Sequence, residues 1–153
     1  MSALAAQLKA QGRDIISLSV GEPDFDTPQH IQEAGIEAIH TGKTRYTAVD
    51  GTPELKQAII NKFKNENALD YKPNQVIVSS GGKQSFYNLC QAFIGAGDEV
   101  IIPAPYWVSY PVMVLLADGI PVIVPTTQEE HLKLTAAKLD AAITPKTKVL
   151  VIN

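Results

Sequence analysis

The sequence predicts an α/β fold, built on a parallel-rich sheet with helices on its faces, and three observations predict it. Short, uniformly apolar runs at 76–80, 99–102, 122–124 and 148–153 alternate with helical patterns near 84–94, 110–117 and 136–143. Strands that are apolar throughout are buried on both faces, as helix-covered parallel sheets require. The first of these runs stops at Gly81-Gly82, and an apolar stripe of Phe86, Leu89, Cys90 and Phe93 begins at once, at the i, i+3, i+4, i+7 spacing of a helix.

The elements follow in order. Leu4 and Leu8 suggest a first helix, and residues 14–20 read as a strand ended by Gly21-Glu22-Pro23-Asp24. Thr27 and Pro28 carry the signals of an N-cap and first helical position, with Ile31, Gly35, Ala38 and Ile39 as the inner face and Gly42 as the stop. Thr52-Pro53 repeats the start signal; Leu55, Ala58, Ile59 and Phe63 form the stripe, and a polar link runs through 67–74. From residue 76 the strict strand–helix alternation takes over. Right-handed crossovers then gather the strand ends at one edge of the sheet, where open α/β sheets bind ligands. The loops to inspect are therefore Ser80-Gly81-Gly82-Lys83 and Pro103-Ala104-Pro105-Tyr106-Trp107.

Composition narrows the classes. A chain of 153 residues with 45% hydrophobic content is about one ordinary globular domain. No apolar run approaches the roughly 20 residues of a spanning helix, and the N-terminus lacks a basic flank followed by an apolar core, so the expectation is a cytoplasmic protein without a membrane partner. One cysteine, Cys90, lies on an apolar stripe and reads as a small buried hydrophobe; neither a disulfide nor a zinc cluster can be built, and no metal is expected. A net charge of −3 with scattered lysines leaves no basic stripe for nucleic acid. No internal repeat or low-complexity tract is present.

Glycines at a helix start let a phosphate approach the backbone closely, while the unpaired N–H groups and the positive dipole end face it. The same turn also serves plain packing. One strand away, Trp107, the only tryptophan, follows two prolines and can stack on a planar ring or fill the core as a half-buried aromatic. Two apparent motifs fail. Ser80-Gly81-Gly82-Lys83 fits an S-x-x-K pattern without its companion motifs. Gly42-Lys43-Thr44 has Glu37 where a phosphate-binding loop needs glycine, and a helix precedes it.

Four segments in order, Gly21-Glu22-Pro23-Asp24-Phe25-Asp26-Thr27-Pro28, Lys43-Thr44-Arg45-Tyr46, Gly81-Gly82-Lys83-Gln84 and Pro105-Tyr106-Trp107-Val108-Ser109-Tyr110-Pro111, resemble the motif series of class I aminotransferases. These are fold type I pyridoxal-phosphate enzymes, and the sequence is most similar to the bacterial aspartate or prephenate branch. The resemblance covers essentially the whole chain. It implies that residues 1–25 supply part of a small domain and the interdomain boundary, and that 26–153 are the N-terminal part of the large, three-layer cofactor domain. It implies that Gly81, Gly82 and Lys83 hold the cofactor phosphate, with Gly82 and Lys83 giving backbone N–H groups, and that Trp107 covers the pyridine ring and approaches the substrate carboxylate. Gly21 would lie against the substrate α-carboxylate, where a side chain would intrude. Tyr46 would reach the phosphate of a partner's site in a homodimer. Lys83 would also pair with the distal carboxylate of a dicarboxylic substrate.

The implied reaction is ping-pong transfer of an amino group between an amino acid and a 2-oxo acid. No catalytic residue is assigned within the chain, because the Schiff-base lysine, the acidic partner of the ring nitrogen and the carboxylate-binding arginine are expected after Asn153. The sequence is therefore expected to be an inactive, poorly stable fragment. Later strands of the family sheet are expected between some of those present, leaving the first, fourth and second strands without neighbours. Alternatives from other classes are a carbon–sulfur lyase with the same cradle, a non-catalytic regulatory domain, and a degenerate partner subunit.

Overall fold

A strand whose middle residues Val100, Ile101 and Ile102 are wholly withdrawn from water organises the structure. The computed structural model describes residues 2–18 and 21–153. They fall into two compact units, one ending at Tyr46 and one running from Thr47 to Asn153. The division into domains expected at residue 25 concerns the whole protein.

The first unit holds α1 (Ser2–Ala10) and α2 (Gln29–His40). The strand expected over 14–20 is not formed at 14–18, where Ile16 and Leu18 are exposed and no ladder partner exists among the described residues; Ser19 and Val20 lie outside the described residues. Helix α2 begins one residue later than expected. Pro28, not Thr27, stands at the cap, and its carbonyl accepts from the N–H groups of Ile31 and Gln32. Gly42 does close the helix, at φ +72.

In the second unit, α3 (Pro53–Asn67) starts as expected, with the Thr52 hydroxyl accepting from the Leu55 N–H at 3.3 Å and Pro53 in the first turn. Its buried ridge is Lys56 and Ile60 rather than the expected line through Leu55 and Ala58. Lys56 is the reason. Its ammonium pairs with Asp50, and its stem lies inside, so a cation occupies the inner face at one end. Then come α4 (Gly82–Phe93), β1 (Glu99–Ala104), α5 (Ser109–Leu115), β2 (Ile120–Pro125), α6 (Ala136–Ala142) and β3 (Thr147–Leu150).

The three strands form one parallel sheet in the order β2-β1-β3, with Ile101 opposite Val122 on one side and Leu150 on the other. Alternation along β1 sends Val100 and Ile102 into a cluster with Cys90, Ile94, Met113, Val114, Ala117 and Val151, and turns Ile101 to the other face. Burying a side chain of this size contributes about 1.5–3 kcal/mol. Gly119 lets β2 begin hard against the helices, since a Cβ there would meet Ile94 Cγ2 at 2.4 Å. Cys90 is buried as expected, and burial pushes its thiol up.

Two expectations about the sheet need correction. Residues 76–80 form no strand; the segment is unladdered, held by a bond from the Val78 N–H to the Asp50 carbonyl at 3.1 Å, with Ile77 exposed. A strand requires a neighbour, and none of the three lies beside it. Conversely β1, the second of the expected strands, is central with a neighbour on each side, and the fourth, β3, has β1 as a neighbour. The stripe of α4 is only partly covered. Cys90 and Phe86 turn inward, while Leu89 and Phe93 stay exposed because α4 packs chiefly against α5.

Candidate functional site

The site is built where α4 begins. Gly81 stands at φ +87, ψ 168, a backbone conformation nearly confined to glycine, and no side chain caps the helix. The turn is held from within: the Gly81 N–H donates to the Ser79 carbonyl at 2.9 Å, and the Ser80 N–H to the Gln84 side chain. Beyond it, the N–H groups of Gly82, Lys83 and Gln84 meet no acceptor among the described residues. Gly81, Gly82 and Lys83 are exposed, and a Cβ built on either glycine meets nothing within 4 Å. Three outward-facing donors at the positive end of a twelve-residue helix form a place for an anion.

The indole lies beside it. Trp107 follows β1 through the cis peptide Ala104–Pro105 and is half-buried, packed against the core cluster on one side. The ammonium of Lys83 stands 5.4 Å from the centre of its ring. No carboxylate pairs with Lys83 among the described residues, so this cation, placed at the unfavourable end of a helix dipole, has only the indole for company. Trp107 is thus both a core aromatic and a neighbour of the helix start, and the two readings of an isolated tryptophan are not exclusive here.

Gly81, Gly82, Lys83 and Trp107 all lie in the second unit, the first three consecutive at the start of α4 and the indole within reach of the Lys83 ammonium. Gly21 and Tyr46 belong to the first unit, where both are exposed and a Cβ on Gly21 meets nothing within 4 Å. The sequence marked Phe86 as part of a helix stripe and Tyr110 as part of a motif, but gave neither these two nor Asn153 a part in the surroundings of the indole. Tyr110 touches Trp107 edge-on, Phe86 touches Tyr110, and the Tyr110 hydroxyl donates to Asn153 Oδ1 at 2.9 Å. The signal for Tyr110 was its spacing three residues after Trp107 at a helix start, which puts both on one side.

Two open spaces adjoin this edge. One, about 450 Å³, is bounded by Ala104, Pro105, Thr135, Leu150 and Asn153; the other, about 760 Å³, runs between α4 and α5 past Lys83, Tyr87, Ser109 and Met113. Lys83 and Gln84 line the second space, whereas Gly81, Gly82 and Trp107 line neither. Among the described residues no cluster of side chains could hold a metal ion, and no helix is long and apolar enough to cross a membrane.

Comparison with known proteins gives the family of the chain. Residues 13–153 match the model of the aminotransferase class I and II family. The chain is 60% identical, over its full length, to an aspartate/prephenate aminotransferase of Nitrosomonas europaea, of which it covers 38%, and 54% identical to an aspartate aminotransferase of a Bacillus strain, of which it covers 39%. Among solved structures it matches an aspartate aminotransferase from Rhizobium meliloti with a TM-score of 0.92 at 49% identity, over 97% of this chain and 37% of that one. It also matches the Thermus thermophilus aspartate aminotransferase with maleate, with a TM-score of 0.93 at 48% identity, over 99% of this chain and 40% of that one. The chain spans less than two fifths of the length of the curated relatives named here.

Proposed function

The chain belongs to the class I and II aminotransferase family, and we propose that it provides the phosphate-binding half of a pyridoxal-phosphate site in a protein that moves an amino group between an amino acid and a 2-oxo acid. The observation that carries this is the pairing of three unsatisfied N–H donors with the sole indole at one sheet edge. A phosphorylated planar ring needs both features, donors for its phosphate and a flat apolar cover for its face. The residues present fit that group. An exposed glycine start leaves room for a phosphate against the backbone, and the half-buried indole offers a surface to a ring.

Gly81 shapes the turn, Gly82 and Lys83 donate their N–H groups to the phosphate, and Trp107 covers the ring. Bound pyridoxal phosphate supplies an electron sink for the pair left on the substrate α-carbon when its proton departs. This chain's residues bind and orient; none is assigned the proton transfer, which falls to a lysine outside residues 1–153. By the same reading Gly21 lies against the substrate α-carboxylate, and residues 1–25 belong to a small domain that meets the large domain of 26–153. Tyr46, wholly exposed in this structure, reaches the phosphate of a second subunit in a homodimer.

Lys83 sets the substrate class. An ammonium at a positive helix end with no carboxylate opposite it favours a ligand bearing a further negative charge, and aspartate and its oxo acid carry one. The relative solved with maleate, itself a dicarboxylate, supports this reading.

The decisive experiment titrates the fluorescence of the single tryptophan with pyridoxal phosphate and with pyridoxal. Charge-assisted hydrogen bonds contribute about 1.5–3 kcal/mol each, so the phosphorylated compound binds at least about tenfold more tightly. Inorganic phosphate competes with it. Equal affinities for the two compounds, or quenching that phosphate leaves unchanged, refute the site.

A further inference from the structure

We propose that Tyr110 is the positioning residue that fixes the plane of the Trp107 indole. The inference rests on the reading of Trp107 as the cover of the cofactor ring, since only then does its orientation bear on binding.

Three contacts carry it. The rings of Trp107 and Tyr110 meet edge-to-face, with centroids 5.3 Å apart and planes 87° apart, so the tyrosine closes one direction in which the indole could turn. Tyr110 cannot swing aside, because its own ring meets Phe86 of α4 at 4.8 Å and 62°. Its hydroxyl is tied as well, donating to Asn153 Oδ1 at 2.9 Å across 43 residues of sequence. The indole is thereby referenced to three separate pieces of the second unit: the stripe of α4, the first turn of α5 and the residues that follow β3.

The arrangement exceeds what core filling needs. A phenylalanine at position 110 would fill the same volume and meet both rings. Tyrosine adds a bond that joins the first turn of α5 to the chain beyond β3, at the edge where the helix-start donors of α4 lie. An aromatic cover held in this manner has little freedom to lose when a ring stacks on it, which is how preorganisation raises affinity.

The test uses the fact that Trp107 is the only tryptophan. Time-resolved fluorescence anisotropy of the ligand-free chain separates local motion of the indole from tumbling of the whole molecule. In Y110L the amplitude of the fast, local component rises about twofold or more. Y110F and N153A, which keep the ring contact and remove only the hydroxyl bond, raise it by a smaller and mutually equal amount. Far-UV circular dichroism establishes that each variant is folded, and if Y110L is not, Y110F and N153A decide the question. A folded variant set with wild-type local motion overturns the inference, because a merely structural tyrosine changes the unfolding midpoint and leaves the indole as rigid as before.

Dissociation constants for pyridoxal phosphate separate this inference from the reading it rests on. Y110L weakens binding by about threefold to tenfold, the range in which an aromatic pair acts. A loosened indole with unchanged affinity sinks the role of Trp107 as a ring cover and leaves Tyr110 as its positioning residue. Weakened affinity with a rigid indole does the reverse.

Discussion

Replacing Gly81 by alanine tests whether the helix-start turn is a strained, purpose-shaped feature or an ordinary packing turn. At φ +87 and ψ 168 an L side chain is disfavoured by about 1–3 kcal/mol, whatever space surrounds it. Space is not the difficulty, since a Cβ built there meets nothing within 4 Å. The whole penalty is therefore backbone strain. Gly82 is the control one residue away: it is the first residue of α4, has no positive φ, and its built Cβ is equally free. Alanine is the better helix former, so G82A stays within about 0.5 kcal/mol of the parent or gains slightly. Urea unfolding followed by far-UV circular dichroism measures both. Affinity for pyridoxal phosphate falls in G81A as well, because relaxing the turn redirects the N–H groups of Gly82 and Lys83. If G81A proves as stable as G82A, the turn is not held in the glycine region, and the argument that it aims those donors fails.

Three further outcomes follow from the same structure. G119A forces a Cβ to within 2.4 Å of Ile94 Cγ2 and 3.0 Å of Val114 Cγ1, and overpacking of this kind costs about 1–3 kcal/mol, read from the urea midpoint. Acid weakens the fold from one direction only. Asp50, Asp98 and Glu130 are held below their usual range by hydrogen bonds from Lys56, Lys148 and Lys138 respectively. The stability they contribute is fully present above the unfolded values of 3.8 and 4.5, and is lost as pH falls through the lower folded values; K138M removes part of that dependence, and an unchanged pH profile in K138M contradicts the assignment. On the reading proposed for Lys83, K83M in the whole protein raises KM for aspartate by about tenfold or more and leaves KM for an amino acid without a second carboxylate within about twofold, as steady-state kinetics would show.

Much of the sheet was legible because its signals are local and chemical. The runs at 99–102 and 122–124 are apolar on both sides, and both are strands; Thr52-Pro53 names a cap and first turn, and both are present. What misled was any signal that needs a partner to become structure. Residues 76–80 are as β-branched as β1, yet without a neighbour their backbone groups have no ladder to join. The stripe of α4 has the right period, but periodicity states which residues share a face, not that anything covers it, and Phe93 is left exposed. On α3 the inner ridge shifted because a lysine with an acidic partner can lie inside, and no hydrophobic count anticipates that.

The site divides along the same line. The glycine start of α4 was readable from the chain because it is a property of a few consecutive residues, and among the described residues the N–H groups that follow it have no acceptor. The surroundings of Trp107 were not readable, because Tyr110 touches it while Phe86 and Asn153, 67 residues apart in sequence, hold Tyr110 in turn. The indole belongs to both categories: its presence after two prolines is a sequence fact, whereas its orientation is a tertiary one. A ligand that used only the donors would bind an anion of any shape. Selectivity for a flat, phosphorylated ring requires the indole plane to be set in advance, so the discrimination assigned to this edge depends on the contacts that no local pattern encodes.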